Sequence, residues 1–180
     1  MESAGSVKAV ESSGTQTWGG SKAVLFFGVL FGILVLDIAT KMLVQEYFML
    51  HEQVDVVGDY VRLTYIYNPG AAFGIHLGEH SRVIFLVLSI VALAALVAMY
   101  WFTPAHNHLR LVAISLICAG AIGNLIDRIR SVDGVVDFID IGVGAIRWPV
   151  FNVADMAVTA GAVILALSLW KEEQRVETGR

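Results

Sequence analysis

Four long apolar runs restrict this chain more than any other feature of its sequence. Ala23 to Leu36 holds no polar side chain, and the run resumes after Asp37 to reach about Tyr47. Val83 to Phe102 has only Ser89 as an interruption, with Tyr100 and Trp101 at its end. Leu109 to about Ile126 and Val150 to Trp170 complete the set. A bilayer core is crossed by about 20 apolar residues in a helix. In hydrocarbon every backbone N–H and C=O must be paired internally, which selects helices for such runs. A charged share of 16% and a mean hydropathy of +0.71 also place the chain outside the range of soluble domains. The expected fold is therefore an all-α membrane protein with a small β element and spans over about 23–47, 83–102, 109–126 and 150–170.

The segments between spans carry the polar chemistry. Residues 1–21 are rich in Ser, Gly and Thr and read as a disordered tail, and 171–180 as a charged one. No small-residue cleavage site closes the first apolar run, which argues against a secretory leader. In the loop 49–81, Tyr60 to Tyr67 alternates like a strand, and Asn68-Pro69-Gly70 signals a turn. The small residues Ala71, Ala72 and Gly74 would let backbone approach a ligand. In the loop 128–149, Val135 to Ile141 also reads as a strand after a turn at Asp133-Gly134. An even number of spans puts both termini on one side. Lys8, Lys22, Arg110, Lys171, Arg175 and Arg180 there outnumber Arg62, Arg82, Arg128, Arg130 and Arg147 by one, favouring cytoplasmic termini.

The candidate site is an accumulation of acids at the edge of hydrocarbon, where ionisable groups are expensive and usually functional. Asp155 lies about one turn into the last span, with Asn152 three residues earlier on the same face. Asp137 stands on the strand-like run, which could set it opposite Asp155. Two facing carboxylates cannot both ionise cheaply, so one keeps a proton, as an aspartic hydrolase requires. Asp127 and Asp140 are rivals. Asp127 is expected to be neutralised by Arg128 or Arg130, and Asp140 to point to the opposite strand face, into solvent. Asp37 and Lys41, at i,i+4 inside the first span, read first as a structural ion pair and second as support for the active site. Taken singly, each acid is more often a solvated or capping residue than a catalyst.

Other chemistries find less support. The scattered histidines and the single Cys118 have no metal-ligand spacing. A net charge of −4 argues against nucleic acid. A small proton-coupled transporter or channel using Asp37, Lys41 and Asp155 is the competing class, but the two halves of the chain show no repeat.

Four segments together resemble the motifs of bacterial lipoprotein signal peptidases, the signal peptidase II family: Asn68-Pro69-Gly70-Ala71-Ala72-Phe73-Gly74, Gly123-Asn124-Leu125-Ile126-Asp127-Arg128, Val135-Val136-Asp137-Phe138 and Phe151-Asn152-Val153-Ala154-Asp155. The pair Asp37 and Lys41 also fits, and the resemblance runs from about Lys22 to Trp170. It implies four transmembrane helices with an extracytoplasmic β-cradle, in the bacterial inner membrane. It implies an intramembrane aspartic endopeptidase with Asp137 and Asp155 as its dyad, and with Asn68, Gly70, Asn124, Arg128 and Asn152 lining or bracing the site. The implied substrate is a prolipoprotein carrying diacylglycerol on a cysteine, cut on the amino side of that cysteine. The resemblance further implies contact with membrane lipids, inhibition by globomycin-type cyclic peptides, and no metal or organic cofactor.

Overall fold

The computed structural model describes residues 18–69 and 80–177. Four helices, α1 (Trp18–Tyr47), α2 (Ser81–Phe102), α3 (His108–Arg130) and α4 (Val153–Glu177), are each long and apolar enough to cross a membrane. Four strands form one antiparallel sheet in sequence order: β1 (Gln53–Val57), β2 (Val61–Asn68), β3 (Val135–Val143) and β4 (Ile146–Arg147).

Helix α3 is the centre of the bundle, packing on α1, α2 and α4. Its inward face carries small residues, among them Ala113, Ser115, Cys118, Ala119, Gly120 and Gly123, all buried. Small side chains let helices approach where lipid supplies no hydrophobic drive. A Cβ on Gly120 would strike the backbone oxygen of Ala154, and one on Gly123 would strike the Asp37 carboxylate. Cys118 packs with Phe26, Leu30, Leu96 and Ile114 as a small hydrophobe. Many large apolar side chains remain outside, including Phe31, Val35, Val87, Val91 and Val163, as a lipid-facing surface requires.

The sheet covers the end of the bundle where α1 and α3 finish and α4 starts. Val44 of α1 packs with Tyr65, Val136 and Phe138. Gly134 has φ +112° and lies against the Asn68 backbone, where any Cβ would collide; glycine alone allows that approach. It lets β3 start in register with the end of β2, Asn68 opposite Val135.

Several boundaries differ from the sequence reading. Trp18–Ser21 belong to α1 rather than to a tail. Helix α3 continues past Ile126 to Arg130, so Asp127 and Arg128 are helical; Arg128 and Arg130 in the last turn suit its negative dipole end. Helix α4 starts at Val153, and Phe151 pairs with Ile139 of β3 as an extended lead-in. Lys171–Glu177 extend α4 beyond the apolar run because they are good helix formers. Strands β1 and β4 are additional to the two expected.

Candidate active site

The site is built around the first turn of α4. Asn152 caps that helix: its Oδ1 accepts from the Asp155 backbone N–H at 2.9 Å, and Asp155 Oδ2 accepts from the Asn152 N–H at 3.2 Å. This reciprocal capping box holds both side chains in fixed positions. Because the backbone N–H can only donate, it keeps the Asn152 oxygen toward itself and turns the Asn152 amide N–H groups outward. That nitrogen reaches Asp137 Oδ1 at 2.7 Å, and lies 3.1 Å from Asn124 Oδ1 and 3.2 Å from the Val136 oxygen. One amide thus ties the helix to the strand, bringing Asp137 and Asp155 together from different elements.

Each carboxylate has a second amide donor. Asn68 Nδ2 donates to Asp137 Oδ2 at 3.0 Å, and Asn124 Nδ2 donates to Asp155 Oδ1 at 2.8 Å. Asp137 is 1% exposed. Burial, and after it the Asp155 charge, push its carboxyl up to about 7, while the Asn68 and Asn152 hydrogen bonds and the Lys41 charge act the other way. A carboxylic acid that exchanges its proton near neutrality suits general acid–base work. Arg128 donates to the Asn124 backbone oxygen at 3.2 Å, has its guanidinium 5.7 Å from the Phe85 ring centroid, and lies within electrostatic reach of Asp155, Asp137 and Asp127.

The pair in α1 reaches this site. Lys41 Nζ bonds Asp37 Oδ2 at 2.8 Å, Asp127 Oδ2 at 2.8 Å and Asn124 Oδ1 at 3.0 Å. The Ala154 N–H donates to Asp37 Oδ1 at 2.9 Å, so an acid of α1 helps cap α4. The ion pair is therefore structural and also touches the site through Asn124.

Two expectations for the rival acids are corrected. Asp127 is paired with Lys41 rather than with Arg128 or Arg130, because α3 turns it toward α1. Asp140 does lie opposite to Asp137 on an alternating strand, but it is not solvated: it is 4% exposed, with Arg147 Nε 2.6 Å from Oδ1 and Thr64 Oγ1 3.1 Å from Oδ2. Gly70 and the segment Ala71 to Gly74 lie outside the described residues. The link from Lys41 to Asp127 was missed by sequence reasoning. Its signal was the spacing of Asn124, Asp127 and Arg128, which places all three on one face of α3 once the helix is known to continue.

The signal peptidase II family model matches residues 29–171. The chain belongs to this family. It is 39% identical over 152 residues to the lipoprotein signal peptidase of Geobacter sulfurreducens, covering 84% of this chain and 94% of that protein. The lipoprotein signal peptidase of Halothermothrix orenii is 41% identical over 142 residues, 79% of this chain and 92% of its own length. That of Desulforapulum autotrophicum is 44% identical over 135 residues, 73% of this chain and 83% of its own. A bacterial membrane enzyme solved by the in meso method at 2.3 Å resolution superposes with a TM-score of 0.73 at 30% identity, over 82% of this chain and 88% of that one. Another, at 1.9 Å, gives a TM-score of 0.69 at 32% identity, over 80% and 91%. As a signal peptidase II family member, the chain is a multi-pass membrane protease. The transporter reading finds no support.

Proposed function

We propose that this signal peptidase II family member is an aspartic endopeptidase that removes the signal peptide from diacylglyceryl-modified prolipoproteins, cutting on the amino side of the lipidated cysteine. The observation that carries the aspartic assignment is the linking of buried Asp137 to half-buried Asp155 through Asn152, with the Asp137 carboxyl pushed up to about 7. The substrate follows from the family and from the relatives' names.

In the proposed step the scissile carbonyl lies between the two acids, with the lipid chains toward the bilayer. With a proton held on Asp137, Asp155 is the partner left to take a proton from water as the water attacks the carbonyl carbon. Asp137 gives its proton to the carbonyl oxygen, stabilising the tetrahedral intermediate. Collapse breaks the C–N bond, and the amide nitrogen leaves with a proton returned by the pair. Asn124 and Asn152 keep the carboxylates in register, which is where positioning lowers the barrier. Asn68, at the end of β2 and donating to Asp137, is assigned to the strand end that an extended peptide passes, and Gly70 keeps only the site-lining or bracing role that the family resemblance implies. Arg128 supplies positive charge behind the pair.

The proposed location is the bacterial inner membrane, with both termini cytoplasmic and the sheet-bearing end of the bundle outside. Membrane lipids surround the four helices, and globomycin-type cyclic peptides are proposed to occupy the peptide site. Incubating the purified protein with a diacylglyceryl-modified prolipoprotein, followed by mass spectrometry, tests the activity. The expected product begins at the modified cysteine; an intact substrate, or cleavage at another bond, overturns the proposal. Cysteine labelling at the C-terminal tail and in the 49–81 loop checks topology, and labelling of both from one side rejects it.

A further inference from the structure

We propose that Lys41 is a positioning residue for the catalytic pair, acting through the Asn124 amide as well as neutralising Asp37. The proposal rests on the dyad reading above. An ammonium carries three N–H donors and no acceptor. Those of Lys41 are directed at Asp37 Oδ2, Asp127 Oδ2 and Asn124 Oδ1, at 2.8, 2.8 and 3.0 Å. The first two contacts set one positive charge between two carboxylates. The third has a different consequence, because an amide has two ends of nearly the same shape and opposite hydrogen-bonding character. A group that can only donate accepts one of those orientations and rejects the other.

With Lys41 in place, the Asn124 oxygen must face α1. The Asn152 amide nitrogen, 3.1 Å away, approaches the same oxygen. The Asn124 nitrogen is thereby turned onto Asp155 Oδ1 at 2.8 Å. Asp155 is then always presented with a donor and never with the amide oxygen, which would repel it. Lys41 is 3% exposed and Asn124 9%, so bulk water does not replace the missing donor when the ammonium is removed.

The same cation has a second effect, carried by charge. Asp137 is faced by Asp155 and Arg128 and by the amides of Asn68 and Asn152, with Lys41 beyond Asn124. Lys41 itself is faced by Asp37 on its own helix and by Asp127 on α3. The Lys41 charge favours the ionised form of Asp137 against the larger effect of burial. Loss of that charge therefore raises the Asp137 carboxyl further and extends activity to higher pH, even as turnover falls.

The test compares wild type with Lys41→Met, close in length and uncharged, in prolipoprotein cleavage followed from pH 5 to 9 at matched amounts of folded protein. Expected is a kcat lower by roughly ten- to a hundredfold, the range for lost positioning, with KM little changed and the alkaline limb of kcat/KM moved to higher pH. A purely structural role predicts fewer folded molecules, each with wild-type kcat and an unmoved limb; that result overturns the proposal. Should Lys41→Met not fold, the double variant Asp37→Asn, Lys41→Met removes opposite charges together and leaves an amide oxygen in place of the carboxylate to accept from the Ala154 N–H. A tenfold or greater loss of kcat in the double variant supports the role of the ammonium, and wild-type kcat rejects it. Asp137→Asn and Asp155→Asn in the same assay separate the two layers. Cleavage by those variants removes the dyad reading, whereas inactive dyad variants beside an unaltered Lys41 variant remove the positioning role alone.

Discussion

Strand β3 carries two buried carboxylates three residues apart, and their surroundings are opposite. Asp137 faces the helix ends, where its oxygens meet the amides of Asn152 and Asn68 and where its charged neighbour of greatest effect is another acid. Asp140 faces the other side of the sheet, where Arg147 binds both its side chain and its backbone oxygen and Thr64 adds a hydroxyl. That cluster continues through Asp59, which accepts Arg147 on its backbone oxygen at 3.0 Å and pairs with Arg62, itself paired with Asp55. Both acids are equally hidden from water. What differs is whether a cation lies against the carboxylate. A guanidinium in contact sets a full opposite charge directly against the carboxylate. Amides orient an acid without supplying a full charge, so burial and a second acid are free to bring its titration toward neutral pH.

The sharpest way to break this comparison is to replace each acid by its amide. Asp137→Asn and Asp155→Asn are expected to lower cleavage by about a thousandfold or more, since proton transfer at the reacting carbonyl is lost, while the protein remains folded in the membrane. Robust cleavage by either variant at matched protein levels rules out the dyad. Asn124→Ala and Asn152→Ala come next, with turnover expected to fall roughly ten- to a thousandfold. Asn152→Ala also removes the cap of α4 and is expected to lower stability by about 1 kcal/mol; single-turnover rates beside thermal unfolding separate the two effects.

A pH series sharpens the contrast. The native protein holds a proton on Asp137 more tightly than the unfolded chain does, because burial raises that carboxyl from 3.8 to about 7. The stability this contributes is complete below the unfolded value and is lost as pH rises through the native one. The proposed acid role has the same sign: kcat/KM is expected to decline as pH rises through about 7, with the apparent value belonging to the coupled pair. A rate that stays flat from pH 6 to 8.5, with chemistry limiting, contradicts it. The smallest effect on turnover is expected from Asp140→Asn. It leaves Arg147 without its carboxylate and is expected to destabilise the sheet by about 1–3 kcal/mol, yet to keep activity within severalfold of wild type. Loss of cleavage comparable to that of Asp137→Asn would erase the distinction between the two sides of β3.

Much of the fold was legible in the chain itself. The four spans follow from apolar length, and β2 and β3 from alternation bounded by turn residues. The ends of the helices were less legible. Hydropathy reports where lipid stops, whereas a helix stops where its backbone hydrogen bonds are capped; α3 therefore runs through Asp127 and Arg128, and α4 waits for its cap at Asn152. The solvated reading of Asp140 failed for a related reason. Strand alternation told which face it occupies but not that Arg147, on a two-residue strand too short to show a pattern, covers that face.

The sequence by itself determined that this chain crosses a membrane as four helices, that its acids collect at one end of them, and that its motifs resemble those of signal peptidase II. These are properties of local composition and spacing, and they survive without knowledge of neighbours. Only the tertiary structure decided which acid meets which partner. Asp37 caps a helix 117 positions later in the chain, Lys41 reaches Asn124 across 83 positions, and Asn68 reaches Asp137 across 69. The charge state of a buried carboxylate depends on whether a cation or an amide lies within about 3 Å of it. That distance is set by packing between elements far apart in the chain.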